Sequence, residues 1–123
     1  MTVADTDVLI DYLAGKGEAD AVERLLRRGA IRTTVISRFE LLSGAKNPKQ
    51  LSRLVQLLEA VPSLGLDKAA ADAASEIHKS LELSGNPIGM ADSLIAGIVA
   101  SNGATLLTRN RRHFERVPGI RLA

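Results

Sequence analysis

Cysteine and tryptophan are both absent from this chain, and two Phe and one Tyr are its only aromatic side chains. Without cysteine there are no disulfides, no thiolate catalysis and no Cys-based zinc or iron–sulfur sites, which is compatible with a reducing cytosol. With so few aromatics the core must be aliphatic, and base-stacking platforms for single-stranded nucleic acid are not expected. No apolar run approaches the roughly 20 residues needed to span a bilayer. The N-terminus lacks a basic-then-apolar signal pattern, so a soluble, cytoplasmic protein is expected. There is no linker, internal repeat or low-complexity tract.

The 123 residues suit one compact domain, 1–123, and are too few for two cores. Hydrophobic residues make up 46% and charged residues 24%, a globular balance that argues against disorder. The net charge of +2 hides a polarised distribution. Residues 1–23 carry Asp5, Asp7, Asp11, Glu18, Asp20 and Glu23 against Lys16 alone. Residues 109–121 carry Arg109, Arg111, Arg112, Arg116 and Arg121 against Glu115. Arginine suits bidentate phosphate contacts, although a charge run by itself is usually a solvated face.

Short apolar runs alternate with longer helical patterns. Thr2–Asp5, Ile31–Thr33, Val61–Leu64 and Thr105–Thr108 read as brief buried strands, with a weaker fifth near Ile120–Leu122. Helical patterns cover Val8–Leu13, Ala19–Arg28, Val35–Ser43, Lys49–Ala60, Asp67–Leu83, Met90–Ser101 and a short Arg111–Arg116. Gly15, Gly29, Gly44 and Gly103 end helices, while Pro48 and Pro62 punctuate connections. The expected fold class is α/β: a mostly parallel sheet of four or five short strands with helices on both faces. In such sheets ligands bind at the carboxyl ends of the strands, and the first strand ends on Asp5.

Asp92 opens the apolar helix "MADSLIAGIVA", where it and Ser93 are the only polar side chains. A carboxylate in an apolar setting must be neutralised or protonate, although a first-turn acid can also simply suit the helix dipole. Glu40 repeats the problem in "TTVISRFELLSGA", with little at helical spacing to pair it; an exposed helical acid is the plainer alternative. Thr108 and Asn110 leave the fourth strand at the sheet edge that carries Asp5, where an Asn is commonly a helix cap. Taken together, these segments place carboxylates on one edge with few basic partners. Hard oxygen ligands without Cys or paired His favour Mg²⁺ or Mn²⁺. Such a site activates water and stabilises charge on a phosphoryl group in transfer, while the arginines hold a phosphodiester backbone.

The pieces "ADTDVLIDYL", "TTVISRFELLSGA", "IGMADSLIAGIVASNGATLLTRNRRHF" and "VPGIRL" occur in the order and spacing of PIN domains. Across essentially its whole length the chain resembles a VapC-type toxin of a bacterial toxin–antitoxin pair. The resemblance implies that Asp5, Glu40 and Asp92 hold Mg²⁺, with Mn²⁺ as substitute. It implies that the chain cleaves RNA as a metal-dependent endoribonuclease, forms a homodimer and is inhibited by a cognate antitoxin. The family's fourth acidic position falls on Asn110, which can orient a water but supplies no charge for a second ion. Asp7 adds a carboxylate where the family often has a neutral polar residue. Thr6 and Thr108 are expected to orient ligands, and Arg109, Arg111 and Arg112 to grip RNA.

Rival readings are weaker. Asp5-Thr6-Asp7-Val8 fits the nucleophile motif of haloacid-dehalogenase-like phosphatases, but Lys79 is the last lysine and lies at no strand end. A receiver domain needs an Asp and a Lys at strand ends where this chain has Leu64-Gly65-Leu66 and arginines. A non-catalytic nucleic-acid or partner-binding module is the serious alternative, because Asn110 is neutral. Ser43 and Lys46 match Ser-x-x-Lys without its companion motifs, and no phosphate-binding loop occurs. His78 and His113 lack metal-ligand spacing, and a surface position is expected for His113.

Overall fold

A computed structural model describes all 123 residues. In chain order the elements are β1 (Thr2–Ala4), α1 (Thr6–Leu13), α2 (Ala19–Arg27), β2 (Ile31–Thr34), α3 (Val35–Ser43) and α4 (Pro48–Ala60). They continue with β3 (Ser63–Leu64), α5 (Lys68–Leu83), α6 (Met90–Ser101), β4 (Thr105–Leu107), α7 (Arg111–Phe114) and β5 (Arg121–Leu122). The five strands form one sheet in the order β3-β2-β1-β4-β5, and every pairing is parallel. No helix is long and apolar enough to cross a membrane.

Local chemistry sets the element boundaries and explains where they differ from expectation. Asp5 is not the last residue of β1 but the N-cap of α1, its carboxylate accepting from the Thr6 amide at 2.7 Å. The helix therefore starts at Thr6, two residues before the apolar pattern begins. Thr34 extends β2 and caps α3 by accepting from the Ser37 amide at 3.1 Å. Asn47 caps α4, whose first residue is Pro48, and Asp67 caps α5 by accepting from the Ala70 amide. The strand expected over Val61–Leu64 shrinks to Ser63–Leu64, because Val61 still donates its amide to the Leu57 carbonyl at the end of α4.

Side chains alternate across the strands, so the core of this one domain lies in two layers, one on each face of the sheet. Val3 and Leu106 point into one, with Ile95 and Val99 of α6, Ile77 of α5, and Phe114. Ala4 and Leu107 point into the other, with Val8 and Leu9 of α1, Leu41 of α3, and Leu54 and Leu57 of α4. Helices thus cover both faces, and the carboxyl ends of β1 and β4 meet between the layers. The chain moves from β1 to β2 and β3 on one side, then returns to β4 and β5 on the other. The crevice between β1 and β4 is the topological switch point of the sheet.

Candidate active site

Asp5 and Thr108 leave neighbouring strands, in register at Ala4 and Leu107, at this switch point. The Thr108 hydroxyl donates to Asp5 Oδ2 at 2.9 Å, and the Asn110 amide donates back to Thr108 Oγ1 at 2.9 Å. Each Asp5 oxygen thus holds one donor and keeps a lone pair for another ligand. Asp5 is 7% exposed. Burial raises its pKa above the ordinary value; the hydrogen bonds from Thr108 and Thr6 oppose that shift, and the charges of Asp92 and Asp7 add to it. It has no cationic partner among the ion pairs.

Glu40 is tied to the same corner through Thr6. The Thr6 hydroxyl lies 2.7 Å from Glu40 Oε1 and 2.8 Å from Ser37 Oγ. Thr6 has one proton and a carboxylate can only accept, so Thr6 donates to Glu40 and the buried Ser37 donates to Thr6. The first turn of α1, which Asp5 caps, therefore also orients Glu40 on α3.

Asp92 does not sit in the fully apolar setting expected for it. The first turn of α6 emerges from the core: Met90 is largely exposed and the Asp92 side chain is 28% exposed. Its neighbour is His113, whose Nδ1 lies 3.3 Å from Asp92 Oδ2 and 2.7 Å from Asn110 Nδ2. One nitrogen cannot both accept from the Asn110 amide and donate to Asp92, so the tautomer selects the partner. Asn110 precedes α7 without capping it through its side chain, which is turned to His113 instead. His113 is exposed, as its sequence context suggests, and its position three residues after Asn110 turns it toward the same edge.

The arginines part company. Arg109 turns inward: its Nη2 lies 3.4 Å from Asp7 Oδ2, and its Nη1 lies 3.1 and 3.3 Å from the two oxygens of Asp11. Asp7, exposed and paired to Arg109, belongs to this ion-pair cluster. Arg111 donates to the Ala123 carbonyl at 2.7 Å, and Arg112 stands exposed without an ion-pair or hydrogen-bond partner. Of the three arginines expected to grip RNA, Arg112 alone keeps its guanidinium free.

Asp5, Glu40 and Asp92 do not close into a cage: no three Asp, Glu, His or Cys side chains stand close enough together to enclose an ion unaided. The donor set still fits a hard divalent ion. Mg²⁺ is ordinarily held by one or two carboxylates together with waters and substrate phosphate, so an open carboxylate edge suits it better than a closed cage. A buried carboxylate that feels two further negative charges and no positive one gains most from a cation.

Comparison with known proteins agrees with this architecture. The PIN domain family model matches residues 2–120. The chain is 34% identical over 122 residues to the tRNA(fMet)-specific endonuclease VapC of Shigella flexneri, covering 95% of this chain and 92% of that one. It superposes on DNA-bound VapBC from Salmonella typhimurium with a TM-score of 0.84 at 30% identity, covering 99% of this chain and 96% of that one. VapBC2 from Rickettsia felis, bound to a promoter DNA fragment, shares the fold with a TM-score of 0.89 at 24% identity over 99% of this chain and 96% of that one. With its motif order, all-parallel sheet and switch-point carboxylate, the chain belongs to the PIN-domain family, in its VapC branch.

Proposed function

We propose that this protein is a Mg²⁺- or Mn²⁺-dependent endoribonuclease, the toxin of a toxin–antitoxin pair, held in check by a cognate antitoxin. The observation that carries this reading is Asp5: a buried carboxylate at the switch point, hydrogen-bonded on both oxygens, with other acids nearby and no cation. Asp5, Glu40 and Asp92 are the residues that would hold the metal. When bound, the metal supplies a Lewis acid that activates water and offsets charge developing on the phosphate.

The chain's own residues do the rest of the work. Thr108 and the Thr6 amide hold Asp5 in one orientation, and the Thr6 hydroxyl holds Glu40. Asn110, neutral and next to Thr108, presents an amide that orients a water or a ribose hydroxyl. Self-association into a homodimer is part of the reading. The relative from Shigella is specific for tRNA(fMet) by name, which makes initiator tRNA the first substrate to assay.

The deciding experiment measures RNA cleavage and thermal stability, with and without Mn²⁺, for wild type and Asp92→Asn. Cleavage should disappear in Asp92→Asn, while its metal-free stability is kept or raised. Mn²⁺ should raise the melting temperature of wild type only. A variant that cleaves like wild type, or that unfolds earlier without metal, overturns the role given to Asp92.

A further inference from the structure

The charge of the C-terminal segment is not spread evenly. Arg109 is neutralised by Asp7 and Asp11, and Arg111 and Arg121 are turned to the carbonyls of Ala123 and Gly103. What remains gathers around a cleft of about 220 Å³ between the α5–α6 loop and α7, lined by Asn86, Pro87, Ile88, Arg112, His113 and Arg116. No carboxylate lines it. Arg112 has no partner, and Arg116 donates to the neutral Asn86 Oδ1 at 2.6 Å, so neither charge is compensated.

This cleft is built rather than incidental. The Asn86 backbone amide is fixed to the Leu81 carbonyl at 2.8 Å, and its side-chain amide to the Ser84 carbonyl at 3.2 Å. Pro87 and the buried Ile88 follow it directly. Asn86 in turn holds one end of the Arg116 guanidinium and leaves its other N–H groups directed elsewhere. His113 joins the cleft to the carboxylate edge, since the same side chain lies within 3.3 Å of Asp92. An anion in the cleft would therefore share His113 with the carboxylate edge.

We infer that the cleft walled by Asn86, Arg112, His113 and Arg116 is a phosphate subsite that holds the RNA backbone beside the scissile bond. The inference rests on the ribonuclease reading for its substrate. It assigns backbone gripping to Arg112 and Arg116 and withdraws it from Arg109, whose charge is already spent on Asp7 and Asp11. Two guanidiniums and an imidazole edge suit phosphate oxygens and carry no base preference of their own.

The test reads binding separately from cleavage. Fluorescence anisotropy of a labelled single-stranded RNA is followed between about 50 and 200 mM salt, in an Asp92→Asn background so that the probe stays intact. Arg112→Gln and Arg116→Gln should each weaken binding roughly tenfold and lower the salt slope by about one. Arg112→Lys, which keeps the charge, should restore most of both. Arg112→Gln should not shift the melting temperature, since Arg112 touches nothing that folding needs. Unchanged affinity and slope in the double Gln variant overturn the subsite. So does a protein that binds no RNA, or an acidic peptide of equal charge that competes as well as RNA. Cleavage with Mn²⁺ is scored in the Asp92 protein: RNA binding that depends on both arginines without any cleavage supports the subsite and removes the ribonuclease reading alone.

Discussion

Arg109 Nη1 spans both oxygens of Asp11 at 3.1 and 3.3 Å, joining the turn after β4 to the last turn of α1 across 98 residues of sequence. Asp11 is 4% exposed, and the turn that Arg109 anchors is the one that delivers Thr108 to Asp5 and Asn110 to His113. Gly17 makes room for the pair: at φ +61° it has no Cβ, and one there would fall 2.8 Å from Asp11 Oδ2. The clamp is therefore structural in its bonds and functional in what it positions.

Arg109→Ala leaves a buried carboxylate without its counter-charge. The arginine is half exposed, so the cost falls between that of a surface pair and a fully buried one, about 1–3 kcal/mol. In urea denaturation, adding Asp11→Asn to Arg109→Ala should recover part of that loss. A double variant less stable than Arg109→Ala would show that the ion pair is not what holds the turn.

Asp5 destabilises the metal-free fold when ionised. Its pKa is raised on folding, chiefly by burial, so the folded state keeps the proton to higher pH than the unfolded state does. The penalty is absent below the unfolded value of about 3.9, grows as pH rises, and is complete above the folded value. In EDTA, the stability of Asp5→Asn minus that of wild type should increase from acid pH toward neutrality and then level off. A difference that stays flat, or shrinks with rising pH, contradicts the uncompensated carboxylate. Mn²⁺ should stabilise wild type and not Asp5→Asn.

Gly97→Ala tests how closely α5 and α6 approach. Alanine is the better helix former by about 1 kcal/mol. Here its Cβ would lie 2.5 Å from the Ala70 carbonyl oxygen and 2.6 Å from the Ala74 Cβ, and backbone cannot swing aside. Overpacking should win, lowering stability by about 1–3 kcal/mol as read by thermal or urea unfolding. A stabilised variant would mean that the two helices separate easily.

Tyr12 is the only tyrosine in a chain without tryptophan, so its absorbance reports one group. Its hydroxyl donates to Glu23 Oε2 at 2.6 Å, and that bond first, with burial and the Glu23 charge after it, raises the phenol pKa above its ordinary value. The same bond, with that from Arg27, lowers the pKa of Glu23. Ultraviolet titration should show Tyr12 ionising late in wild type and earlier in Glu23→Gln. Equal titration curves would mean that the bond does not form in solution.

Much of the fold is legible in the amino-acid sequence. Val35–Ser43 and Met90–Ser101 are helical over the bounds their periodicity predicts, and the five strands lie where short apolar runs stand. The carboxyl ends of parallel strands share one sheet edge, which places Asp5 and Thr108 together, and they share a hydrogen bond. Boundaries were missed where a side chain caps the backbone, as Asp5 does at Thr6, because capping adds residues that the apolar pattern does not mark.

What the sequence determined by itself is the local part: helix and strand type, their alternation along the chain, and the absence of thiol and tryptophan chemistry. These depend on neighbours within a few positions, through hydrophobic period and backbone hydrogen bonding. The tertiary structure alone decided which charges meet. Arg109 is spent on Asp7 and Asp11, His113 reaches Asp92, and Arg112 and Arg116 are left facing an acid-free cleft. Coulomb attraction acts over distances that only strand order and helix packing set, so a run of five arginines in the sequence becomes several distinct roles in space.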